Sequence, residues 1–437
     1  MKSLVHWSIL ICILLAGCVR DDAVRAASAA AAEGAHRPNP NVVPLAQDYV
    51  VVAQVPDARY FFHDPNMALL SDGSILVAAP CWSDDERSTI MKRSDDGGAT
   101  WRELGRLPYE DATPFMIGDR LYMFVQAETW RDVSFVTSFD RGETWSEPST
   151  IFTGEYWTIS NSTVIKDGRF YLALSTKYPD QERKYQRLVM AVADLSQDLL
   201  NPAAWRLSNV IDYAPVPDAI CRWMFPHEVQ VEKFNRPWSG VSWLEHNTVE
   251  VNGRIRVLSR CVIDGFSTAN LCSVADLDET SGELKLSFTQ YYPLPGGQNK
   301  FFILYDDVSR FYFLLSNLVT DSQDLFERHA QLKASGFAAP PGNERRWLFL
   351  HYSIDCLNWF PAGNVAHWPD RVTQSFMYPS AAIDGDDIIL ISRTSKDGPN
   401  QHDADLVTFH RIRDFRSLTL PLHPGPEAYL PPAQASR

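Results

Sequence analysis

The octapeptide SDDGGATW at residues 94–101 returns 44 positions later as SFDRGETW at residues 138–145, so that both copies read S-x-D-x-G-x-T-W. A tight turn is the physical reading of this pattern. The Asp carboxylate accepts backbone N–H groups across the turn, Gly supplies a position with φ above zero, and Thr-Trp restarts a strand with a large apolar anchor. A third, worn copy, SIDCLNW at residues 353–359, keeps Ser353, Asp355 and Trp359 but has Leu357 where the turn glycine belongs. A period in the forties is what one small antiparallel sheet per repeat produces, so the first expectation is an all-β chain of stacked blades. The octapeptides themselves are structural hairpins, and the chemistry has to come from elsewhere.

Six segments flanking these turns share one design, in which apolar alternation runs into a tight polar turn and out again. They are 67–79 turning at Asp72-Gly73, 115–125 at Gly118-Asp119, 163–174 at Asp167-Gly168, 248–258 at Asn252-Gly253, 301–315 near Asp306-Asp307, and 381–391 at 384–387. Each reads as a β-hairpin, and six hairpins argue six blades. Segments 89–101, 134–145, 188–205 and 347–359 supply outer strands, while 178–187, 213–226 and 320–345 have the length of loops that shape a pocket on one face. The Pro-rich tail after Phe415 is expected to give a closing strand and then disorder.

At the other end, Lys2 precedes an apolar run at 4–15 that ends in Leu15-Ala16-Gly17-Cys18. The run is short for a bilayer span and reads as a signal peptide over 1–18. The LAGC sequence resembles the bacterial lipobox, which implies cleavage before Cys18, lipidation of its thiol and an exported membrane lipoprotein; ordinary secretion with cleavage within 26–32 is the alternative. Residues 19–45 then form a flexible tether, 46–423 one propeller, and 424–437 a disordered tail. The net charge of −14 argues against nucleic acid or an anionic membrane surface as partner, leaving the lipid anchor as the membrane link and a monomer as the expected state. Cys81, Cys221, Cys261, Cys272 and Cys356 are odd in number and show no C-x-x-C spacing; a Cys261–Cys272 bridge and buried thiols are both open.

The octapeptides resemble the Asp-box of the sialidase (neuraminidase) superfamily, which implies a six-bladed β-propeller of the sialidase type. WLEHNTVEVNGRIRVLSR at 243–260 is similar to the sialidase stretch in which a Glu opens a strand and the return strand ends on an Arg, and Glu245 and Arg260 fall in those places. In that family the Glu activates a nucleophilic tyrosine, and the Arg belongs to a trio gripping the substrate carboxylate. MYPSAAIDGDDIILI at 377–391 resembles the strand headed by the nucleophile, so that Tyr378 takes that position. In Glu344-Arg345-Arg346 the last Arg of the trio is assigned to Arg346, with Arg345 as the fallback. His63-Asp64-Pro65 stands where sialidases have Arg-Ile-Pro, so His63 replaces the first Arg, and the acid/base Asp corresponds to Asp84 or Asp85. Without the resemblance, Glu245 and Arg260 read as a pair across a blade, Tyr378 as packing, and 83–87 as a solvated acidic loop.

The chemistry implied is retaining exo-hydrolysis of a terminal acidic sugar, sialic acid or a related ulosonic or uronic sugar. A carboxylate beside the anomeric carbon calls for a cationic clamp, and it repels an anionic nucleophile, so a neutral tyrosine polarised by Glu is the workable choice. An Asp holding a proton assists the leaving oxygen, and neither metal nor cofactor is needed. His63 in place of Arg weakens the clamp and opens two alternatives. One is a uronate lyase using His63 and Tyr378; the other is a glycan-binding propeller without turnover.

Overall fold

The structure, a computed structural model, describes residues 43–158, 162–178, 186–217, 219–220, 242–262, 270–320, 334, 344–369 and 372–423. The signal segment with Cys18, nearly all of the 19–45 tether, Cys221, much of the three long loops and the 424–437 tail lie outside the described residues.

All six hairpins form, each turning at or beside the positions that the turn residues mark, and each is the inner half of one small sheet. The chain enters through β1 (Val50–Gln54), which belongs to the last sheet. The first sheet holds β2 (Phe61–Phe62), β3 (Asn66–Leu69), β4 (Ile75–Trp82), β5 (Arg87–Ser94) and β6 (Arg102–Leu107). The second holds β7 (Asp111–Ile117), β8 (Arg120–Gln126), β9 (Val133–Ser138) and β10 (Ser149–Phe152). The third holds β11 (Tyr156–Trp157), β12 (Val164–Lys166), β13 (Arg169–Lys177), β14 (Gln186–Asp194) and β15 (Trp205–Leu207). The fourth runs through β16 (Ser242–Val251), β17 (Arg254–Val262), β18 (Leu271–Asp278) and β19 (Lys285–Pro293). The fifth runs through β20 (Phe302–Asp306), β21 (Phe311–Asn317), β22 (Trp347–Ser353) and β23 (Phe360–His367). The sixth comprises β24 (Ser375–Asp384), β25 (Asp387–Ser395) and β26 (Leu406–Ile412), with β1 paired antiparallel on the outside of β26.

Every sheet is an antiparallel meander, and its neighbours in the ring are its neighbours in the chain. One hydrophobic cluster fills each of the six spaces between adjacent sheets: Leu76 and Met91 meet Leu121 and Met123 between the first two, for instance, and Ile75 and Val77 meet Ile389 and Val407 where the last closes on the first. A middle strand therefore has an apolar neighbour on both faces, which is why β4 (ILVAAPCW) and β21 (FYFLLSN) are buried throughout instead of alternating. This is a six-bladed β-propeller.

The ring closes differently from the expectation. The outer strand of the last blade is β1, from the N-terminal side, while residues after Phe415 form a short 3₁₀ turn. Leu45 and Ala46 already donate to the carbonyls of Asn364 and Val365, so the ordered body starts at the edge of the fifth blade. Cys261 and Cys272 are not bridged; burial pushes the Cys272 thiol up to about 12.

The repeated octapeptides make the expected turns. Thr100 N donates to Asp96 Oδ1 at 2.9 Å and Gly98 N to Ser94 Oγ at 2.8 Å; the pairs Thr144–Asp140 and Gly142–Ser138 repeat these distances. In the worn copy Asn358 does the work of Thr, donating to Asp355 from its backbone and its side chain at 2.8 Å. Gly98, at φ +96°, lies flat against Phe409 of the sixth blade, where any side chain would collide with that ring.

Candidate active site

The innermost strands of the fourth and sixth blades are interrupted at matching points. In β16, Leu244 pairs with Arg260 and Asn247 with Leu258, so Glu245 and His246 bulge out opposite Ser259. In β24, Met377 pairs with Arg393 and Ser380 with Ile391, so Tyr378 and Pro379 bulge opposite Ser392. Both bulge-opening residues adopt left-handed backbone, Glu245 at φ +46° and Tyr378 at φ +52°, a conformation that non-glycine residues hold only when their surroundings enforce it. The enforcement is visible. His246 is clasped between Ser175 Oγ and Ser259 Oγ at 2.9 and 2.7 Å, and Ser380 Oγ accepts the Met67 amide at 3.1 Å.

The bulges aim both side chains at one guanidinium. Arg260 Nη1 lies 2.9 and 2.8 Å from the two carboxylate oxygens of Glu245 and 3.1 Å from the Tyr378 hydroxyl, while its Nε donates to the Gln298 carbonyl at 2.6 Å. All three side chains are buried. Burial works against the charge on Arg260, but Glu245 and Tyr378 hold its pKa above the usual arginine value. Burial also pushes the Tyr378 phenol up, with Glu245 adding to the effect against the opposing pull of Arg260 and Arg345; the hydroxyl is protonated at neutral pH.

Three further cations surround the phenol ring. Lys300 Nζ lies 5.1 Å, Arg345 Cζ 5.3 Å and Arg393 Cζ 4.9 Å from its centroid. Burial lowers the pKa of both arginines, Arg345 to about 10. Lys300 faces Asp64 at 3.6 Å, and Asp64 faces His63 Nδ1 at 3.1 Å. Although burial opposes its ionisation, His63, Lys300 and Arg393 keep Asp64 below the ordinary carboxylate range. His63 also meets Asp111 at 3.5 Å and stacks on Trp82 at 3.7 Å, with Trp157 and then Trp130 beyond it. That aromatic edge is the kind of surface on which sugar rings stack.

The cluster thus gathers Tyr378, Glu245, Arg260, Arg345 and, one step out, His63. Arg346 is not in it: its Nε pairs with Glu344 at 2.5 Å and its guanidinium covers Trp347, so of the two adjacent arginines the geometry favours the fallback. Asp84 and Asp85 are exposed on the turn between β4 and β5, and among the described contacts neither reaches the cluster. Lys300 and Arg393 were not singled out in the sequence. The signal for Arg393 was present as an internal echo, because Leu-Ser-Arg ends fifteen residues after Glu245 and Ile-Ser-Arg fifteen after Tyr378.

His63, Asp64 and Asp111 are the group among the described residues whose donor atoms lie within metal-ligating reach of one another. The ammonium of Lys300 already supplies positive charge to Asp64, so the arrangement fits an ionic network better than a cation site. A groove of about 680 Å³ lined by Lys166, Gly253 and Glu279 lies at the opposite rim, among the hairpin turns of the third and fourth blades and away from these residues.

No family model matches the chain, and no curated protein does. Solved structures do. Trypanosoma rangeli sialidase aligns at 14% identity and TM-score 0.54, covering 86% of this chain and 61% of its own, so the chain spans about three-fifths of that enzyme. A Penicillium chrysogenum alpha-L-arabinanase complexed with arabinobiose aligns at 12% identity and TM-score 0.52 over 86% of this chain and 100% of its own. The leech intramolecular trans-sialidase complexed with 2,7-anhydro-Neu5Ac gives 12% and 0.50 over 85% and 70%. The fold is that of the sialidase-type six-bladed propellers. At these identities the likeness speaks for architecture, and the site has to be argued from its own geometry.

Proposed function

We propose that the protein is a retaining exo-glycosidase that removes a terminal acidic sugar from glycans, with Tyr378 as nucleophile and Glu245 as the base that activates it. The observation that carries this reading is the single guanidinium of Arg260 shared by the Glu245 carboxylate and the Tyr378 hydroxyl. A phenol whose pKa is raised is a poor nucleophile until a base takes its proton, and Glu245 is the carboxylate held beside it. Among the described residues the buried cations Arg260, Lys300 and Arg393 outnumber the carboxylates paired with them, Glu245 and Asp64, which supports an anionic sugar. Asp84 or Asp85 supplies the proton to the leaving oxygen from the turn that follows Trp82. The sialidases and the arabinanase among the structural neighbours support action on a glycan.

The test is a screen of sialyl, ulosonyl and glucuronyl glycosides with product analysis, on the wild-type protein and on Tyr378→Phe. Release of the free sugar with retained anomeric configuration, lost in Tyr378→Phe while the circular dichroism spectrum persists, is the expected result. Full activity in that variant removes the nucleophile assignment. A lyase using His63 and Tyr378 is the second reading, favoured by the two carboxylates that lie beside the His63 ring; an unsaturated product absorbing in the ultraviolet marks it. Export as a lipoprotein through Cys18 remains part of the proposal, and loss of lipid label in Cys18→Ser is its check.

A further inference from the structure

Arg260 and Arg393 are counterparts. Each ends the same three-residue pattern on the second strand of its blade, each pairs with the residue just before a left-handed bulge, and each is buried. They differ in what the bulge presents to them. In the fourth blade it is Glu245, whose carboxylate neutralises Arg260 with two hydrogen bonds. In the sixth blade it is Tyr378, which brings no charge, and the Arg393 Nε and Nη1 atoms are buried with no hydrogen-bond partner among the described residues. Nη2 of Arg393 is the one anchored nitrogen, donating to the His402 carbonyl. Lys300 repeats the situation: its Nζ is fully buried without a hydrogen bond, and Asp64 at 3.6 Å is its only described counter-charge.

A buried guanidinium with two idle donors is costly unless an anion completes it. We infer that Arg393 and Lys300, lying over the Tyr378 ring, form the seat for the sugar carboxylate of the substrate, so that the ligand supplies to the sixth blade the charge that Glu245 supplies to the fourth. The seat rests on the glycosidase reading for its ligand class, and it is built from blades five and six. The first-blade position held by His63 is not part of it. Arg260 already spends Nη1 on Glu245 and Tyr378 and Nε on the Gln298 carbonyl, so its described bonds serve to position the nucleophile.

Calorimetric titration with matched probes tests this. The probes are the 2,3-didehydro-2-deoxy derivative of N-acetylneuraminic acid, methyl glucuronoside and methyl galacturonoside, each as free acid and as methyl ester, against the wild type, Lys300→Met, Arg393→Met and Arg393→Lys. The wild type is expected to prefer at least one free acid to its ester by about 10- to 100-fold, the range of a charge-assisted hydrogen bond. Lys300→Met and Arg393→Met should erase that preference by weakening the acid alone, with Arg393→Lys between. Because no carboxylate among the described residues is hydrogen-bonded to the buried Arg393, Arg393→Met should also unfold at the same or a higher temperature than the ligand-free wild type, which a merely structural arginine would not allow. Unchanged acid affinity in both Met variants, equal weakening of acid and ester, a clear drop in melting temperature, or no acid preference in the wild type overturns the seat. Binding is read without turnover, so a protein that fails to hydrolyse any glycoside yet discriminates acid from ester keeps the seat and loses the reaction. Hydrolysis without discrimination does the reverse.

Discussion

Glu245 and Tyr378 open matching left-handed bulges in the innermost strands of two blades and converge on one nitrogen of Arg260. Left-handed backbone at a non-glycine residue costs of order 1 kcal/mol, and two such sites meeting at one guanidinium are strain placed where it aims side chains. The two residues then separate in what their removal costs. Glu245→Ala leaves Arg260 buried without its counter-charge and is expected to cost about 3–5 kcal/mol of unfolding free energy. Tyr378→Phe loses one hydrogen-bond acceptor and is expected to cost about 1 kcal/mol. Urea unfolding measures both; equal costs would mean that Arg260 does not depend on Glu245 for its counter-charge.

Adjacent arginines give a second contrast. Arg345 lies buried 5.3 Å from the Tyr378 ring, whereas Arg346 turns outward to Glu344 and Trp347. Arg345→Ala is expected to lower kcat/KM by about 100-fold or more, the loss of one strong charge-assisted contact in a dry site. Arg346→Ala should stay within about threefold, as for a partly exposed ion pair. Steady-state kinetics with the best substrate from the glycoside screen decides, and the reverse order would return the assignment to Arg346.

How far these features were legible follows from the range of the interaction that fixes each. The six hairpins are local, set by turn residues such as Asp72-Gly73 and Asn252-Gly253, and their apolar flanks mark both strands. Glu245, Arg260 and Tyr378, which the structure brings together, could be picked out because their spacing survives within single hairpins. Arg345 against Arg346 was not decidable, since neighbours on an extended chain point to opposite sides and only the contacts just ahead of β22, where the Phe376 amide donates to the Arg345 carbonyl, select one. The closing strand escaped because β1 pairs with β26 across almost the whole chain, so nothing near Val50 announces its partner. Lys300 and Arg393 stand beside apolar strand residues, where a charge without a local partner is itself the clue.

Buried histidines make stability fall in acid. Burial holds His246 near pKa 3 and His351 and His410 near 4, well below the free value of 6.5. Between these limits the unfolded chain binds more protons than the folded one, so stability rises with pH through that window; it is fully present above about 6.5 and is lost as pH falls toward 4 and below. Each histidine contributes a slope of about 1.4 kcal/mol per pH unit in that window. His410 is locked by hydrogen bonds to the Ala46 carbonyl and Thr408, at 2.8 and 2.9 Å. His410→Gln should therefore flatten the dependence of unfolding free energy on pH between 6 and 5, and an unchanged slope would show that His410 is not buried in its neutral form.

The proton donor to the leaving group is the assignment that geometry constrains least, and leaving-group chemistry can isolate it. Asp84 and Asp85 sit exposed beyond Trp82, the ring on which His63 stacks, while Asp64 and Asp111 are buried around His63 itself. A general acid matters in proportion to the basicity of the departing oxygen, so removing it slows an alkyl glycoside by about 100-fold or more and an activated nitrophenyl glycoside far less. If Asp84 or Asp85 is the donor, its Asn variant should show that split while its neighbour's variant behaves as wild type. His63→Asn should then weaken both substrates together, as a residue that shapes the mouth. A leaving-group split in His63→Asn, with both Asp variants unaffected, would move the acid from the exposed turn to the imidazole backed by Asp64 and Asp111.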